Sequence, residues 1–468
     1  MADTSFNPSE AEIISIKITS YDGSKTEDLS TNFYYEFGVK QSIDSPAWQG
    51  YIKVIDAIGF LEKFPLRAEE KMELKLIASD LNTEINLYTN IIKVTDIQPL
   101  QSNNGSSYTI HFVSEETFKG GTRSVSKAYD LQTSDTVREV FNTYYSNIPT
   151  KENASTQDSV HDRVLPFGAR RYLITETQKR KQQRNLFIQD TASRSRLVIP
   201  RLTPAETMQM LGARSYNPET PSCTFRFFET LENYYFCTDE FLVKDIENDH
   251  VIQLYYSPTA SVDPKAPLDQ INRIESLHIA QKSIDLEKDV FSGSYRSEVT
   301  ELDFVRKKAN IRNFNYDTDG KYMDMKGDIR SLDDNPHTEE FRNDIFTKEN
   351  ARSFMIFKDY QSSGDLSSNI HRNRFLSEII QNRVSYLSHL NNTQVEVSLK
   401  GRLDIRPGYI VNLNIPELST GTLNNETLSG RYLIKSTSHV ISEGVLETSL
   451  QLSKFDWNRG DVWFWCRS

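Results

Sequence analysis

This sequence of 468 residues has few cysteines and histidines and no long apolar run. Its three cysteines and eight histidines do not fall at the spacing of a metal site or a disulfide framework. We therefore expect the chain to fold in a reducing cytoplasm. No apolar run approaches the length of about 18 residues that a membrane helix needs. The first residues lack the basic and apolar regions of a signal peptide, so we expect neither a membrane span nor a leader.

The sequence also lacks the short motifs of known enzyme classes, including the nucleophile elbow, the P-loop and the zinc-protease helix. The adjacent pairs Glu115-Glu116 and Asp333-Asp334 do not form an acid/base pair, because neighbouring side chains on a strand face opposite ways. Asp317 begins half of a calcium loop, but the required spacing of acidic residues is incomplete and Asp-Gly is typical of a turn. We therefore expect no enzyme activity, no cofactor and no metal.

The charge balance is acidic, with a formal net charge of −11. A general nucleic-acid binder would need a basic surface, so this class is disfavoured. The one basic concentration lies between residues 170 and 201 and includes Arg180, Lys181 and Arg184. It favours contact with an acidic protein partner over a nucleic-acid backbone. A solvated helix face with salt bridges is the simpler alternative.

The most regular part of the chain is residues 393–456, which read as a β-barrel segment. Apolar and polar residues alternate over 395–399, which is typical of a half-buried strand. The Pro407-Gly408 pair favours a tight turn. Two further alternating runs flank Ser442-Glu443-Gly444, which predicts a hairpin with a three-residue loop.

The whole chain is too long for one core, and the pattern predicts a mainly β fold with α inserts. We expect two tube-like antiparallel β-barrel domains plus smaller mixed α/β domains. The predicted division is 1–118 for the first barrel, completed by 223–256; 119–222 for a mixed α/β insertion; 257–316 for the start of the second barrel; 317–392 for a charged excursion and a helix; 393–456 for completion of the second barrel; and 457–468 for an aromatic tail. Helices are predicted at 131–145, 178–190, 203–212 and 370–390, the third with a Thr-Pro-Ala-Glu capping box.

Aromatic residues crowd the last twelve positions, at Trp457, Trp463, Phe464 and Trp465. Large aromatic side chains are enriched where proteins bind partners, which predicts a contact with a neighbouring molecule. The alternative is a strand packed on the chain's own barrel. Both arrangements stay open from the sequence.

Several motifs occur in an order that resembles the central baseplate hub proteins of contractile-tailed bacteriophages. In the last third these are Gly401, Pro407-Gly408, the run Ser429-Gly430-Arg431-Tyr432-Leu433-Ile434, His439 and Lys454-Phe455-Asp456. Nearer the start they are Tyr35-Glu36-Phe37, Gln41-Ser42-Ile43 and Phe64-Pro65-Leu66, followed by residues 199–230 with the capping box. The needle components of bacterial contractile secretion systems carry a similar module.

The resemblance implies a homotrimer with two tube-like barrels in each subunit. Six similar barrels in a ring would adapt a sixfold tail tube to a threefold central spike, with baseplate wedge proteins around them. DNA or the tape measure protein would pass through the channel. The net charge, and not the resemblance, leads to the hypothesis that acidic residues line this channel and keep DNA from sticking. The implied location is the virion tail baseplate, assembled in the host cytoplasm without membrane insertion. Because no spike-like extension follows residue 468, we expect a separate spike protein.

Two other functions stay open from the sequence. One is a tail-associated cell-wall hydrolase, which would need an acidic residue in a cleft. The other is a receptor-binding β protein at the tail periphery.

Overall fold

The structure is a computed structural model that describes residues 11–29, 34–78, 83–99, 105–145, 170–172, 185–191, 194–217, 224–245, 251–256, 271–281, 291–315, 352–357, 376–391, 393–416, 425 and 428–455. The predicted mainly β class with α inserts is confirmed. Among the described residues, none of the helices has the length and apolar character needed to cross a bilayer.

The strands are β1 (Ala11–Thr19), β2 (Thr26–Leu29), β3 (Tyr34–Ser42), β4 (Gln49–Asp56), β5 (Lys71–Ala78), β6 (Thr83–Pro99), β7 (Ser106–Ser114), β8 (Ala128–Gln132), β9 (Arg170–Tyr172), β10 (Asn185–Ile188), β11 (Arg194–Val198), β12 (Arg226–Glu229), β13 (Asn233–Cys237), β14 (Ile252–Tyr256), β15 (Arg273–Gln281), β16 (Arg296–Asp303), β17 (Lys308–Asn315), β18 (Arg352–Phe357), β19 (Gln394–Lys400), β20 (Ile410–Asn414), β21 (Gly430–Ser442) and β22 (Val445–Lys454). The helices are α1 (Phe60–Lys63), α2 (Glu115–Gly121), α3 (Thr133–Val140), α4 (Pro204–Arg214), α5 (Asp239–Asp245) and α6 (Leu376–Leu390).

The first barrel unit is built from β1 to β7, in the order β2-β1-β5-β6-β7-β4-β3, and β3 then pairs with β21. Its strands alternate buried and exposed residues, because one face of each strand lines a shared core. Phe112 lies at the centre of this core, stacked on Phe37 and edge-on to Trp48, with ring centroids 6.1 Å apart in both pairs.

The second barrel unit is a closed ring of six strands, β21-β20-β14-β15-β19-β22, in which β22 returns to pair with β21. The alternation predicted over 395–399 is confirmed, since Val395, Val397 and Leu399 are buried and their neighbours face outward. They meet Leu450 and Leu452 of β22 in one apolar core.

One hairpin belongs to both barrels. The first residues of β21 pair with β20 in the closed barrel, and residues 436–442 pair with β3 of the first barrel. Strand β21 passes from the second barrel to the first at an irregularity in the β21–β22 register, between Ile434 and Ser436. A bulge of this kind bends a strand and increases its twist. At the far end, Ala11 N donates to Gly444 O over 3.1 Å, so the hairpin tip contacts β1.

The tip of this hairpin is a two-residue turn rather than the predicted three-residue loop. Ser442 pairs directly with Val445, and Glu443 and Gly444 both have positive φ values, 52° and 79°. Two central residues with positive φ define a type I′ turn, whose twist matches that of the flanking strands.

Two of the predicted barrel segments lie elsewhere. Residues 223–256 were expected to complete the first barrel, but β12 and β13 join β10 and β9 in a separate sheet and β14 lies in the second barrel. Residues 257–316 were expected to start the second barrel, but of the strands described in this range only β15 belongs to it. Strands β16 and β17 form a three-stranded sheet with β18. The pairing partner of a strand depends on distant residues, which local patterns do not specify.

The insertion between the barrels has its own aromatic core. The prediction of a helix over 131–145 is confirmed from residue 133 onward by α3 and the π-helical turn that follows it, whereas 131 and 132 belong to β8. The capping box of α4 is confirmed at Thr203 and Glu206. The predicted helix over 178–190 is wrong where it can be compared, because Asn185–Ile188 is strand β10. A short apolar run fits either period, and here the parallel pairing with β13 decides for a strand.

Candidate functional site: the polar junction between the barrels

No group of three or more metal-ligating side chains occurs among the residues that the structure describes. Buried polar side chains of the described residues are instead found where the two barrels and the insertion meet. Two buried polar clusters lie there. We call them the Gln41 junction and the Arg226 clamp.

The Gln41 junction begins on β3. The Gln41 side chain is fully buried, and its Oε1 accepts a hydrogen bond from Leu231 N over 2.9 Å. Its Nε2 donates to Thr437 Oγ1 of β21 over 3.3 Å. One amide therefore joins the first barrel, the shared hairpin and the β12–β13 turn of the insertion. Because the Gln41 amide and both of its partner residues are buried, breaking either hydrogen bond would leave a polar atom without a partner.

Arg406, in the loop 401–409, contacts the same turn between β12 and β13. Its guanidinium is buried, with Nη2 donating to Glu232 Oε1 over 2.7 Å. Nη1 donates to the carbonyl oxygens of Leu403 and Ile405, so the loop is wrapped around the cation. A buried cation with these bonds fixes the loop against the insertion, because moving it would leave the charge unpaired.

His439 on β21 is the third member of the junction. Its Nδ1 lies 3.0 Å from Thr448 Oγ1, and the single hydroxyl proton of Thr448 is donated to Arg402 O over 3.0 Å. Burial, with a further contribution from the charge of Arg406, lowers the pKa of His439 to about 3.

The Arg226 clamp joins β12, the start of α5 and the turn after β3. Arg226 Nε and Nη2 donate to the two carboxylate oxygens of Asp239 over 2.7 and 3.2 Å, and Nη1 bonds to Asp44. Asp239 is fully buried at the start of α5, while the side chain of Asp44 is 55% exposed. Burial alone would lower the pKa of Arg226, but the carboxylates of Asp239 and Asp44 raise it above its ordinary value.

The clamp continues into the second barrel through Lys435. Burial lowers the pKa of this lysine, and the charge of Asp44 opposes that shift. Lys435 Nζ also bonds to Asn391 Oδ1 at the end of α6. The two clusters thus connect the first barrel, the insertion, α6 and the shared hairpin. They can position these parts relative to one another.

The site residues predicted from the sequence all lie outside the described residues. These are Trp457, Trp463, Phe464, Trp465, Arg180, Lys181 and Arg184. The junction residues were not predicted as a site. Gln41 belongs to the motif Gln41-Ser42-Ile43, and Arg406 directly precedes the predicted Pro407-Gly408 turn, but their burial depends on the pairing of β3 with β21. No local signal in the sequence specifies that pairing.

No family model and no curated protein matches this sequence. Among solved structures, the chain is similar to the tail protein from Neisseria meningitidis MC58, with a TM-score of 0.49 and 11% identity over 95% of this chain and 96% of that one. It is similar to the 43 kDa tail protein of prophage MuSo2 from Shewanella oneidensis, with a TM-score of 0.48 and 9% identity over 94% and 98%. A Francisella PdpA–VgrG complex gives a TM-score of 0.45 and 8% identity over 96% and 54%.

Proposed function

We propose that this chain is the structural hub subunit of a contractile tail, and that three copies form a ring. The observation that carries the proposal is the hairpin β21–β22, which is a continuous part of both barrels. Together with the two buried clusters, it holds two barrel units of one chain in a fixed relation. Three such chains would supply six barrel units to match a sixfold tube, while the chain itself keeps threefold symmetry.

In this arrangement the ring connects the tail tube protein to a separate central spike protein, with wedge proteins around it. The rims of β-barrels present strand edges and turns to which further β structure can dock. The net charge of −11 in each subunit would be tripled in the ring. Such a charge would repel DNA passing through the channel and so keep it from sticking. The subunit would be assembled in the host cytoplasm and act in the virion tail.

The basic residues Arg180, Lys181 and Arg184 are proposed to contact an acidic surface of a partner protein. This role rests on their concentration in an otherwise acidic chain. Reversing all three charges should weaken binding to the partner without changing the secondary structure content. Equal binding by the charge-reversed variant would remove these residues from the interface.

The mass of the purified protein tests the ring directly. Light scattering should give about three times the chain mass of 54.0 kDa, and low-resolution images should show a central hole. A particle of one chain mass at working concentrations would contradict the ring.

The absence of catalysis is a separate part of the proposal. A peptidoglycan-release assay should show no turnover, whereas turnover would support the cell-wall hydrolase. A monomer that binds glycans would support the receptor-binding alternative.

A further inference from the structure

The turn between β16 and β17 is fixed by a buried carboxylate. Asp303 pairs with Lys308 in register, so residues 304–307 form the connecting loop. Asp303 Oδ1 accepts a hydrogen bond from Arg306 N over 2.9 Å, and Lys307 has a positive φ of 52°. An aspartate that bonds the backbone a few residues on holds a turn in one conformation. Because Asp303 is buried, its acidic group is also withdrawn from the surface of the turn.

The residues exposed at this turn carry cations and apolar groups but no acidic group. Residues 304–313 are all exposed and read Phe-Val-Arg-Lys-Lys-Ala-Asn-Ile-Arg-Asn. Phe304 and Val305 are 68% and 61% exposed, although the ring of Phe304 stacks on Phe357 with centroids 5.3 Å apart. Soluble surfaces ordinarily intersperse charges of both signs. A purely cationic run therefore stands out in a chain whose formal net charge is −11. We call residues 304–308 the basic turn.

The basic turn has the chemistry of a surface that binds an anionic bilayer. Exposed aromatic and aliphatic side chains are stabilised at the boundary between lipid headgroups and acyl chains. Lysine and arginine extend their methylene chains along apolar surroundings and keep their charges at the level of the lipid phosphates. Each cation close to an anionic membrane adds electrostatic attraction. The basic turn brings both contributions together at one place.

The shape of the turn favours a bilayer over an acidic protein as the partner. Phe304 and Val305 lie on the loop that connects two strands, which is a convex surface. A fluid bilayer accommodates convex apolar groups without a matching pocket, whereas the apolar anchors of a protein interface fill pockets in the partner. The acidic net charge of the chain does not prevent the contact, because charges more than about 8 Å away are largely screened at physiological ionic strength.

We propose that the basic turn binds the surface of bilayers that contain anionic phospholipids. Phe304 and Val305 enter the headgroup region, and Arg306, Lys307 and Lys308 contact the lipid phosphates. The contact is peripheral and does not span the bilayer. It does not depend on the proposed ring, although three turns in one particle would bind more tightly than one.

Co-sedimentation of the full-length protein with lipid vesicles tests this contact. Vesicles of phosphatidylglycerol and phosphatidylcholine in equal parts should bind the protein about ten times more strongly than vesicles of phosphatidylcholine alone. This preference should fall at about 0.5 M salt, because salt screens the attraction. Phe304→Ser combined with Val305→Ser should weaken binding to the anionic vesicles about tenfold, and so should Arg306→Gln combined with Lys307→Gln and Lys308→Gln.

Matched control variants make the same kinds of change elsewhere on the surface. Phe291→Ser removes a phenylalanine that is 67% exposed and precedes the other end of β16. Lys17→Gln combined with Lys25→Gln and Lys40→Gln removes three other exposed cations. Both control variants should bind the anionic vesicles as the parent does. Circular dichroism should be the same for all variants, because every substituted residue is exposed.

Three results would overturn the proposal. Equal binding to vesicles with and without phosphatidylglycerol would show that the protein adsorbs through apolar contact alone. Variants of the basic turn that bind as the parent does would place the membrane contact elsewhere on the chain. Absence of binding to the anionic vesicles would exclude a membrane contact, and retention on poly-glutamate beads would then make an acidic protein the partner. A single-chain mass in light scattering would contradict the ring and leave the vesicle result unchanged, so the two proposals fail separately.

Discussion

Replacing Arg226 with methionine removes the cation that pairs with the buried carboxylate of Asp239. The two side chains are joined by bonds of 2.7 and 3.2 Å, and Asp239 has no exposed surface. Methionine preserves most of the aliphatic length of arginine, so the change acts mainly through charge and hydrogen bonding. The variant therefore isolates the contribution of the clamp to the stability of the fold.

The size of the expected loss in stability follows from the burial of Asp239. Removing one member of a buried ion pair ordinarily costs about 3 to 5 kcal/mol, because the other charge is left uncompensated. Asp239 keeps two partial compensations, the positive end of α5 and the nearby Lys435. A carboxylate at a helix start is favoured by about 0.3 to 1 kcal/mol. We therefore expect Arg226→Met to lower the free energy of unfolding by about 3 kcal/mol.

Urea unfolding followed by circular dichroism would measure this loss, with two further variants as controls. Asp44→Asn removes the exposed partner and should cost about 0 to 1 kcal/mol. Arg226→Met combined with Asp239→Leu should regain most of the lost stability, since an apolar pair replaces the buried charges. A loss for Arg226→Met no larger than that for Asp44→Asn would refute the assignment of Arg226 as a clamp.

Three further changes test the hairpin tip, the first core and the buried histidine. Glu443→Asn should stabilise the protein by about 0.4 to 1 kcal/mol in thermal unfolding, because asparagine adopts positive φ more readily; an equal or lower midpoint would contradict the type I′ turn. Gly50→Ala should cost about 1 to 3 kcal/mol, because the new Cβ would lie 2.3 Å from the buried ring of Phe112, whereas Gly121→Ala has open space and should not destabilise. His439→Gln should flatten the fall in stability between pH 6.5 and 5, which we expect to be about 2 kcal/mol in the parent. The sign follows because the unfolded chain takes up the proton below pH 6.5 and the native ring does so only near pH 3; an unchanged slope would exclude His439 as its source.

The features that the sequence predicted correctly are those set by neighbouring residues. The capping box of α4 involves positions three apart, and the alternation of β19 is visible within seven residues. The elements whose place in the fold was predicted wrongly depend on pairing partners that are distant in the sequence. Strand β14 reads like any short strand, and its place between β20 and β15 is fixed by parallel pairings to distant parts of the chain.

The sequence did not predict the candidate site, because this site also depends on residues that are distant in the sequence. Gln41 and Arg406 are polar residues that local pattern reading assigns to the surface or to a turn. They become buried because β3 pairs with the second half of β21, which brings the insertion turn and the 401–409 loop together. The hairpin tip was misjudged because glutamate rarely takes the positive φ that Glu443 has here.

The shared hairpin also means that the first barrel should not fold without the last part of the chain. Residues 436–442 of β21 cover the edge of β3, and Ile441 and Leu446 are part of the first apolar core. A fragment of residues 1–256 would lack these groups and would leave β3 as an open edge, which favours aggregation. We expect this fragment to be insoluble or to unfold without a cooperative transition, and a peptide of residues 428–455 to increase its solubility when added. A soluble fragment with a sharp thermal transition would show that the first barrel is an independent unit. The hairpin would then be a contact between two domains and not a common part of both.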